Sequence, residues 1–447
     1  MDAREMKRIE EELRIYLSQY DDCFDRCDTR AHLTSYVSGQ LADLDAKSVE
    51  PIALRAGVPV RTLQEFLAQH RWHEDLVRRR VAALVCQQPG GRNSVGIIDE
   101  TSDVKKGDKT PGVQRQWCGK VGKKENCIVN VHLAYARDDF HALLDGELFL
   151  PESWSADRPR CRAAKIPDSL VYRPKWQIAL ELYDRAIAEG VQFEWITADE
   201  GYGSKPGFLE GLESRKQRFV VEVPRNFSVW IEPPQTTARD FRRRRAGRGR
   251  STPRVQAGQP KPRSVENVFW FSEAMKNQSW KRYQIKESKK GPIVWEAKRI
   301  LVTLKGSDDL PGMRLWLIVA RNCLDPTELK FFVSNGDESE TLSTQLLVGF
   351  SRWRVERCFE DQKQEIGLDC FEGRTYVGLK RHLILSSVSY LFLSLLKHNL
   401  GGKKSRIDRT TITRRDRRHR PSMVGTRTRG QSPLRSSRRK NSVLSKA

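Results

Sequence analysis

The chain has 447 residues, 38% of them hydrophobic, with 80 Lys or Arg against 57 Asp or Glu for a net charge of +23. That length and apolar content exclude a wholly disordered, collagenous or small disulfide-scaffold protein and are enough for about three structural units. The charge is uneven: residues 401–447 hold 16 basic and two acidic residues, residues 239–263 hold 10 and one, and the remainder balances to zero.

Residues 1–90 read as helical. The first turns are charged and lack an apolar run followed by a small-residue cleavage site, so no signal peptide is expected. Nine cysteines without regular spacing fit a reducing cytosol. Cys23 and Cys27 with His32 lack a fourth local ligand for zinc, which favours free thiols. Residues 48–70 have the pattern of a helix-turn-helix: Gly57 for the left-handed turn, Pro59 at the second helix start, and Leu63, Phe66 and Leu67 as its buried face. Arg61, Thr62 and Gln64 would then face a groove; an ordinary helical hairpin is the alternative.

The middle of the chain reads as α/β. A short strand ends on Asp99, strands follow over 127–136 and 141–150, and 175–190 is an amphipathic helix stopped by Gly190. Another strand, 193–199, ends on Asp199, and a helix over 206–214 and a strand over 219–224 complete the set. Prolines and the run Arg242, Arg243, Arg244 and Arg245 then mark a basic loop. Apolar runs at 268–271, 293–295, 300–304 and 315–319 suggest a β-rich insertion. Helices are expected from 343 to 366 and again through 396. The apolar stretch 383–396 carries four serines and falls short of a bilayer span, so it reads as a core helix.

Concentrated positive charge without a hydrophobic anchor favours a polyanionic partner, because neutralised phosphates release counterions. Nucleic acid is the leading candidate, with a solvated basic tail as the alternative for 401–447. Arg352, Glu356, Glu360 and Lys363 share one helical stripe. A carboxylate flanked by cations suits a site that holds divalent metal and phosphate together, since hard Mg²⁺ takes oxygen ligands. No Walker loop or HExxH motif competes with that reading.

Four segments carry a resemblance: GIIDET at 96–101 with KKG at 105–107, VQRQWCG at 113–119, TADEGYG at 197–203, and RWRVE at 352–356. Together, and in this order, they resemble the DDE insertion-sequence transposases, whose RNase H-like catalytic domain is split by a β-rich insertion before the last acidic helix. The resemblance covers roughly residues 30–400. It implies an RNase H-like mixed sheet with flanking helices, and Asp99, Asp199 and Glu356 as the catalytic, metal-holding carboxylates. Two Mg²⁺ ions, or Mn²⁺ in their place, are the implied cofactors. Arg352 and Lys363 match the arginine and lysine of the Y-R-E-K signature as DNA contacts, and Trp353 matches a residue that stacks on a displaced base. The signature tyrosine falls on Gly349, and Ser102 stands where glycine is common.

The organisation that follows is a helical DNA-binding domain at 1–90, the first part of the catalytic core at 91–226, and a basic loop and insertion at 227–342. The last core helices occupy 343–400 and a disordered basic tail 401–447. Arg61 and Arg242 to Arg245 are further DNA contacts. The implied function is metal-dependent cleavage and strand transfer at element ends, by a homodimer on double-stranded DNA in the bacterial cytoplasm, associated with the nucleoid and not with a membrane. A decayed or domesticated relative that binds DNA without cutting it is the alternative, and a metal-dependent nuclease without strand transfer is a third reading.

Overall fold

The computed structural model describes residues 3–88, 94–237, 253–288 and 291–399. Arg242 to Arg245 and the tail 401–447 lie outside the described residues.

Five helices come first: α1 (Ala3–Ser18), α2 (Cys27–Leu41), α3 (Val49–Ala56), α4 (Val60–Ala68) and α5 (Glu74–Cys86). Gly57 takes φ 66° and ends α3, and Leu63, Phe66 and Leu67 of α4 are buried. Strands β1 (Val95–Val104), β2 (Gln114–Cys118), β3 (Lys123–Arg137) and β4 (Phe140–Leu148) follow. Next come α6 (Glu152–Ala156), α7 (Arg158–Ala163), α8 (Lys175–Ala188), β5 (Trp195–Ala198), α9 (Glu200–Gly203), α10 (Pro206–Ser214) and β6 (Val220–Val223). Gly190, at φ 86°, stops the chain after α8.

In the first sheet β4, β3, β1 and β5 lie side by side, with β2 also paired to β3. β1 is antiparallel to β3 and parallel to β5. Ile97, Ile98 and Ile196 are fully buried, each worth roughly 1.5–3 kcal/mol of apolar transfer. Gly96 is required where β1 meets β5, because a Cβ there would lie 2.4 Å from Ile196 Cδ1.

The second sheet holds β6, β7 (Ser228–Trp230), β8 (Arg263–Ser264), β9 (Lys281–Ser288), β10 (Gly291–Lys305), β11 (Pro311–Asn322) and β12 (Leu329–Ser334). Two expectations are corrected here. The run 268–271 is helical, within α11 (Val265–Phe271), because Ser264 caps that helix by accepting a hydrogen bond from the Asn267 amide; α12 (Glu273–Lys276) follows. The strand expected to complete the first sheet, β6, instead pairs antiparallel with β12, while a parallel bridge between Ile196 and Phe219 links this segment to β5. The apolar runs at 293–295 and 300–304 belong to one long strand, β10.

The last described residues form α13 (Leu342–Phe350), α14 (Trp353–Asp361), a π-helical turn (Gln362–Ile366) and α15 (Tyr376–Asn399). The helix expected without interruption over 343–366 therefore breaks at Ser351 and loosens at Gln362. α15 is long and apolar enough to cross a membrane, yet most of it is buried inside the protein. Its polar groups have protein partners: Ser386 and Ser389 meet Gln40, His382 meets Tyr36, and Arg381 donates to the Phe66, Leu67 and His70 carbonyls. The helix thus joins the N-terminal helices to the first sheet.

Candidate active site

The register of β1 and β5 decides the geometry. Ile98 pairs with Ala198 in a parallel ladder, so Asp99 and Asp199 occupy the next positions on neighbouring strands, where chains run about 4.8 Å apart. Asp199 directly follows the last residue of β5, at the carboxyl end of a parallel strand pair, where open α/β sheets place their ligands.

Each aspartate is fixed locally. Asp199 Oδ1 accepts the Gly201 amide at 3.0 Å and the Tyr202 amide at 3.3 Å, so this carboxylate caps α9. Gly203 is needed because β6 passes close by; a Cβ there would lie 2.0 Å from the Glu222 carbonyl oxygen. Asp99 is buried, its Oδ1 accepting the Glu100 amide at 2.7 Å and its Oδ2 accepting Arg352 Nη1 at 3.1 Å. Burial and the neighbouring Asp199 charge push the Asp99 carboxyl up to about 7, against the opposing pull of Arg352.

Arg352 stands at the start of α14 and reaches two ways, to Asp99 and, through Nη2, to Glu356 Oε1 at 2.7 Å. Glu356 is 57% exposed in its side chain and lies on the Asp99 side of the helix by virtue of that bridge. Trp353 is 39% exposed and lines a hollow of about 410 Å³ with Leu347, Phe350 and Arg354. Lys363, in the π-helical turn, lies 3.8 Å from Asp103 Oδ1, two pleats along β1 from Asp99 and on the same face. Arg61 is exposed on α4 and pairs with Glu65 at 2.7 Å, far in sequence from these groups.

Gly349, at the signature tyrosine's position, packs against Phe332 and Val220, with Phe332 Cε1 3.0 Å from where a Cβ would sit. Phe350 beside it is packed on Trp295 and Phe332. A side chain at Gly349 would press on both Phe332 and Val220.

Two neighbours, His132 and Lys175, were not picked out in the sequence as part of the site. His132 lies opposite Asp99 in the β1–β3 ladder, fully buried, with neither ring nitrogen hydrogen-bonded to a described residue; burial and nearby Lys363 lower it to about 3. Glu100, on the other face of β1, pairs with Lys175 at 2.8 Å. The basic and aromatic run Tyr172, Arg173, Pro174, Lys175 and Trp176 was the available signal for the latter.

Among the described residues, no three His, Cys, Asp or Glu side chains come close enough together to hold a metal ion. The donor chemistry nevertheless fits a divalent cation. Asp99 and Asp199 bring hard oxygens side by side, and their mutual repulsion is what such an ion relieves.

Comparison with known proteins gives the family. A DDE superfamily endonuclease profile matches residues 19–292. A probable transposase for insertion sequence element IS701 from Microchaete diplosiphon is 32% identical over 199 residues, 44% of this chain. The chain spans about half the length of that curated relative, 50%. Among solved structures, the NurA nuclease from Sulfolobus solfataricus aligns with TM-score 0.26 and 12% identity over 63% of this chain and 84% of that one, too remote a likeness to bear on function.

Proposed function

This chain belongs to the DDE superfamily endonucleases, and we propose that it is a DNA transposase that cleaves and joins phosphodiesters at the ends of its own element. The observation that carries the reading is the pairing of Ile98 with Ala198, which sets Asp99 beside Asp199, with Arg352 linking Asp99 to Glu356 from α14. The sheet order, three antiparallel strands with β5 added in parallel to the first, supports an RNase H-like core.

In this reading Asp99, Asp199 and Glu356 hold the catalytic cations, Mg²⁺ or Mn²⁺. Such ions supply charge stabilisation to attacking and leaving oxygens. The chain itself does the rest. Asp199 keeps its carboxylate aimed by its bonds to the α9 amides, and Asp99 gives up its proton near neutrality, when positive charge arrives beside it. Arg352 and Lys363 lie on the same face of β1 as Asp99 and bind the phosphates flanking the cut, while exposed Trp353 stacks on a base unpaired at the element end. The helices of 1–90, with Arg61 on α4, recognise the ends. Arg242 to Arg245 add phosphate contacts, and two copies bridge two ends.

The test is cleavage of duplex DNA carrying the element's ends, in Mg²⁺, by the wild type and by Asp99→Asn, Asp199→Asn and Glu356→Gln. The variants should bind DNA as the wild type does and leave it uncut; cleavage retained by Asp99→Asn would sink the assignment. Gly349, in place of the signature tyrosine, favours a second reading in which the protein binds DNA without cutting it. A wild type that binds the ends and yields no nick in Mg²⁺ or Mn²⁺ would establish that reading instead.

A further inference from the structure

A hollow of about 550 Å³ opens at Asp199 and Gly201 and is walled by Phe149, Tyr172, Lys175, Trp176 and Lys205. A second, of about 860 Å³, shares Trp176 and Lys205 with it and continues to Lys305 at the end of β10. The two form one track, from a catalytic carboxylate across the start of α8 to the second sheet.

Its walls carry rings and cations, with the carboxylates of Glu100, Glu210 and Asp309 among them. Tyr172 is 36% exposed and meets Phe149 edge-on, with centroids 6.0 Å apart. The Lys175 ammonium sits 5.4 Å above the Phe149 ring while pairing with Glu100. Trp176 is half-buried against Gly207, where a Cβ would lie 3.2 Å from the indole, so the ring is braced from behind. Lys205 is exposed, and Lys305 pairs with Asp309 at 2.6 Å in a loop that itself lines the track.

Ring faces and ammonium groups together match one chemistry. A polynucleotide backbone runs past the cations, and its bases lay their faces on the rings. A duplex offers no free base face to a side wall, because its bases are stacked on one another. We infer that this track binds an unpaired DNA strand leading away from the cleaved bond, with Tyr172 and Trp176 as stacking platforms and Lys205 and Lys305 as phosphate contacts. The inference rests on the transposase reading above and gives the second sheet a direct part in holding substrate.

The test uses the full-length chain with two probes: an oligothymidylate carrying one central 2-aminopurine, and a mixed-sequence duplex of the same length. Wild-type protein should bind the single strand and quench the 2-aminopurine as it stacks. Tyr172→Ala should weaken single-strand binding by about 5- to 150-fold and lose the quench, while Tyr172→Phe restores both. Lys205→Ala should weaken single-strand binding and lower its salt dependence. Duplex affinity should stay at the wild-type level in all three. Single-strand affinity and quench unchanged in Tyr172→Ala, or a parallel loss on duplex, would overturn the inference and leave the transposase reading intact. Wild-type protein that binds neither probe would overturn both.

Discussion

Removing the charge of the buried Asp99 carboxylate should stabilise this protein when metal is absent. Asp99 is buried and its carboxyl is raised to about 7, chiefly by burial and then by Asp199. An unfolded chain gives it a pKa of about 3.9. The native state therefore holds the Asp99 proton more tightly than the unfolded state does. This contribution to stability is present below about pH 4 and is lost as the pH rises through about 7. Three units at ~1.4 kcal/mol each put the loss on the order of 4 kcal/mol by pH 8. Asp99→Asn removes the titration and gives back part of the Arg352 hydrogen bond, so a gain on the order of 2–4 kcal/mol is expected at pH 8. Urea unfolding in EDTA at pH 8 and pH 5 reads it. The gap should narrow to roughly a third at pH 5, about 1.5 kcal/mol, because native Asp99 is protonated there while the unfolded carboxyl is still ionised, and it should close below about pH 4. Saturating Mg²⁺ at pH 8 should then stabilise the wild type, by about 2.7 kcal/mol at a hundredfold excess over Kd, and not the variant. An Asp99→Asn protein no more stable than wild type at pH 8, or equally favoured at pH 5, would refute the electrostatic account of this site.

Gly203→Ala should cost at least about 1–3 kcal/mol by overpacking, because the obstacle is the Glu222 carbonyl of β6 and not a flexible side-chain end; an unchanged melting temperature would contradict the packing described. His382, buried between Tyr36 and the Leu368 carbonyl, is lowered to about 4. Its stabilisation is present above about pH 6.5 and lost as the pH falls through 4, about 3 kcal/mol in all, so His382→Gln should flatten the stability profile between pH 7 and 4.5. A slope identical to wild type would assign the acid sensitivity to other groups. Deleting residues 242–250 removes six arginines and should flatten the slope of log affinity against log salt on duplex DNA by up to about 5; an unaltered slope would remove this segment from the interface.

Local patterns carried much of the fold. The helices at 175–188 and 206–214 could be read from periodicity and stops, and the strands ending at Asp99 and Asp199 from short apolar runs. What local pattern cannot supply is which strands pair. Nothing near Val220 says that its ladder partner is Ser334 and not a strand of the first sheet. The run at 268–271 is too short for periodicity to separate helix from strand, and the cap at Ser264 and the packing of Phe269 on Trp280 and Phe331 decide it. Likewise Gly349 read as a missing tyrosine, whereas its reason is the close approach of Phe332 from a strand with no sequence neighbour there.

The same distinction between local and distant partners explains the site. Asp99, Asp199 and Glu356 were legible as a set of acids at strand ends and on a helix, but Arg352 read as a contact for DNA. In the folded chain it first serves the carboxylates, joining Asp99 to Glu356. One fixed positive charge is too little for that task, since Asp99 still stands near 7 with the guanidinium beside it. A divalent ion brings twice the charge and directs it at oxygens that an arginine meets from one side only. Were Asp99 and Glu356 to hold such an ion, the guanidinium would be left without both partners together, and a phosphate is the anion that a planar five-donor group would be best shaped to take next. Arg352 would therefore stabilise the charged carboxylates before metal arrives and contact DNA afterwards, and the two roles need no second residue.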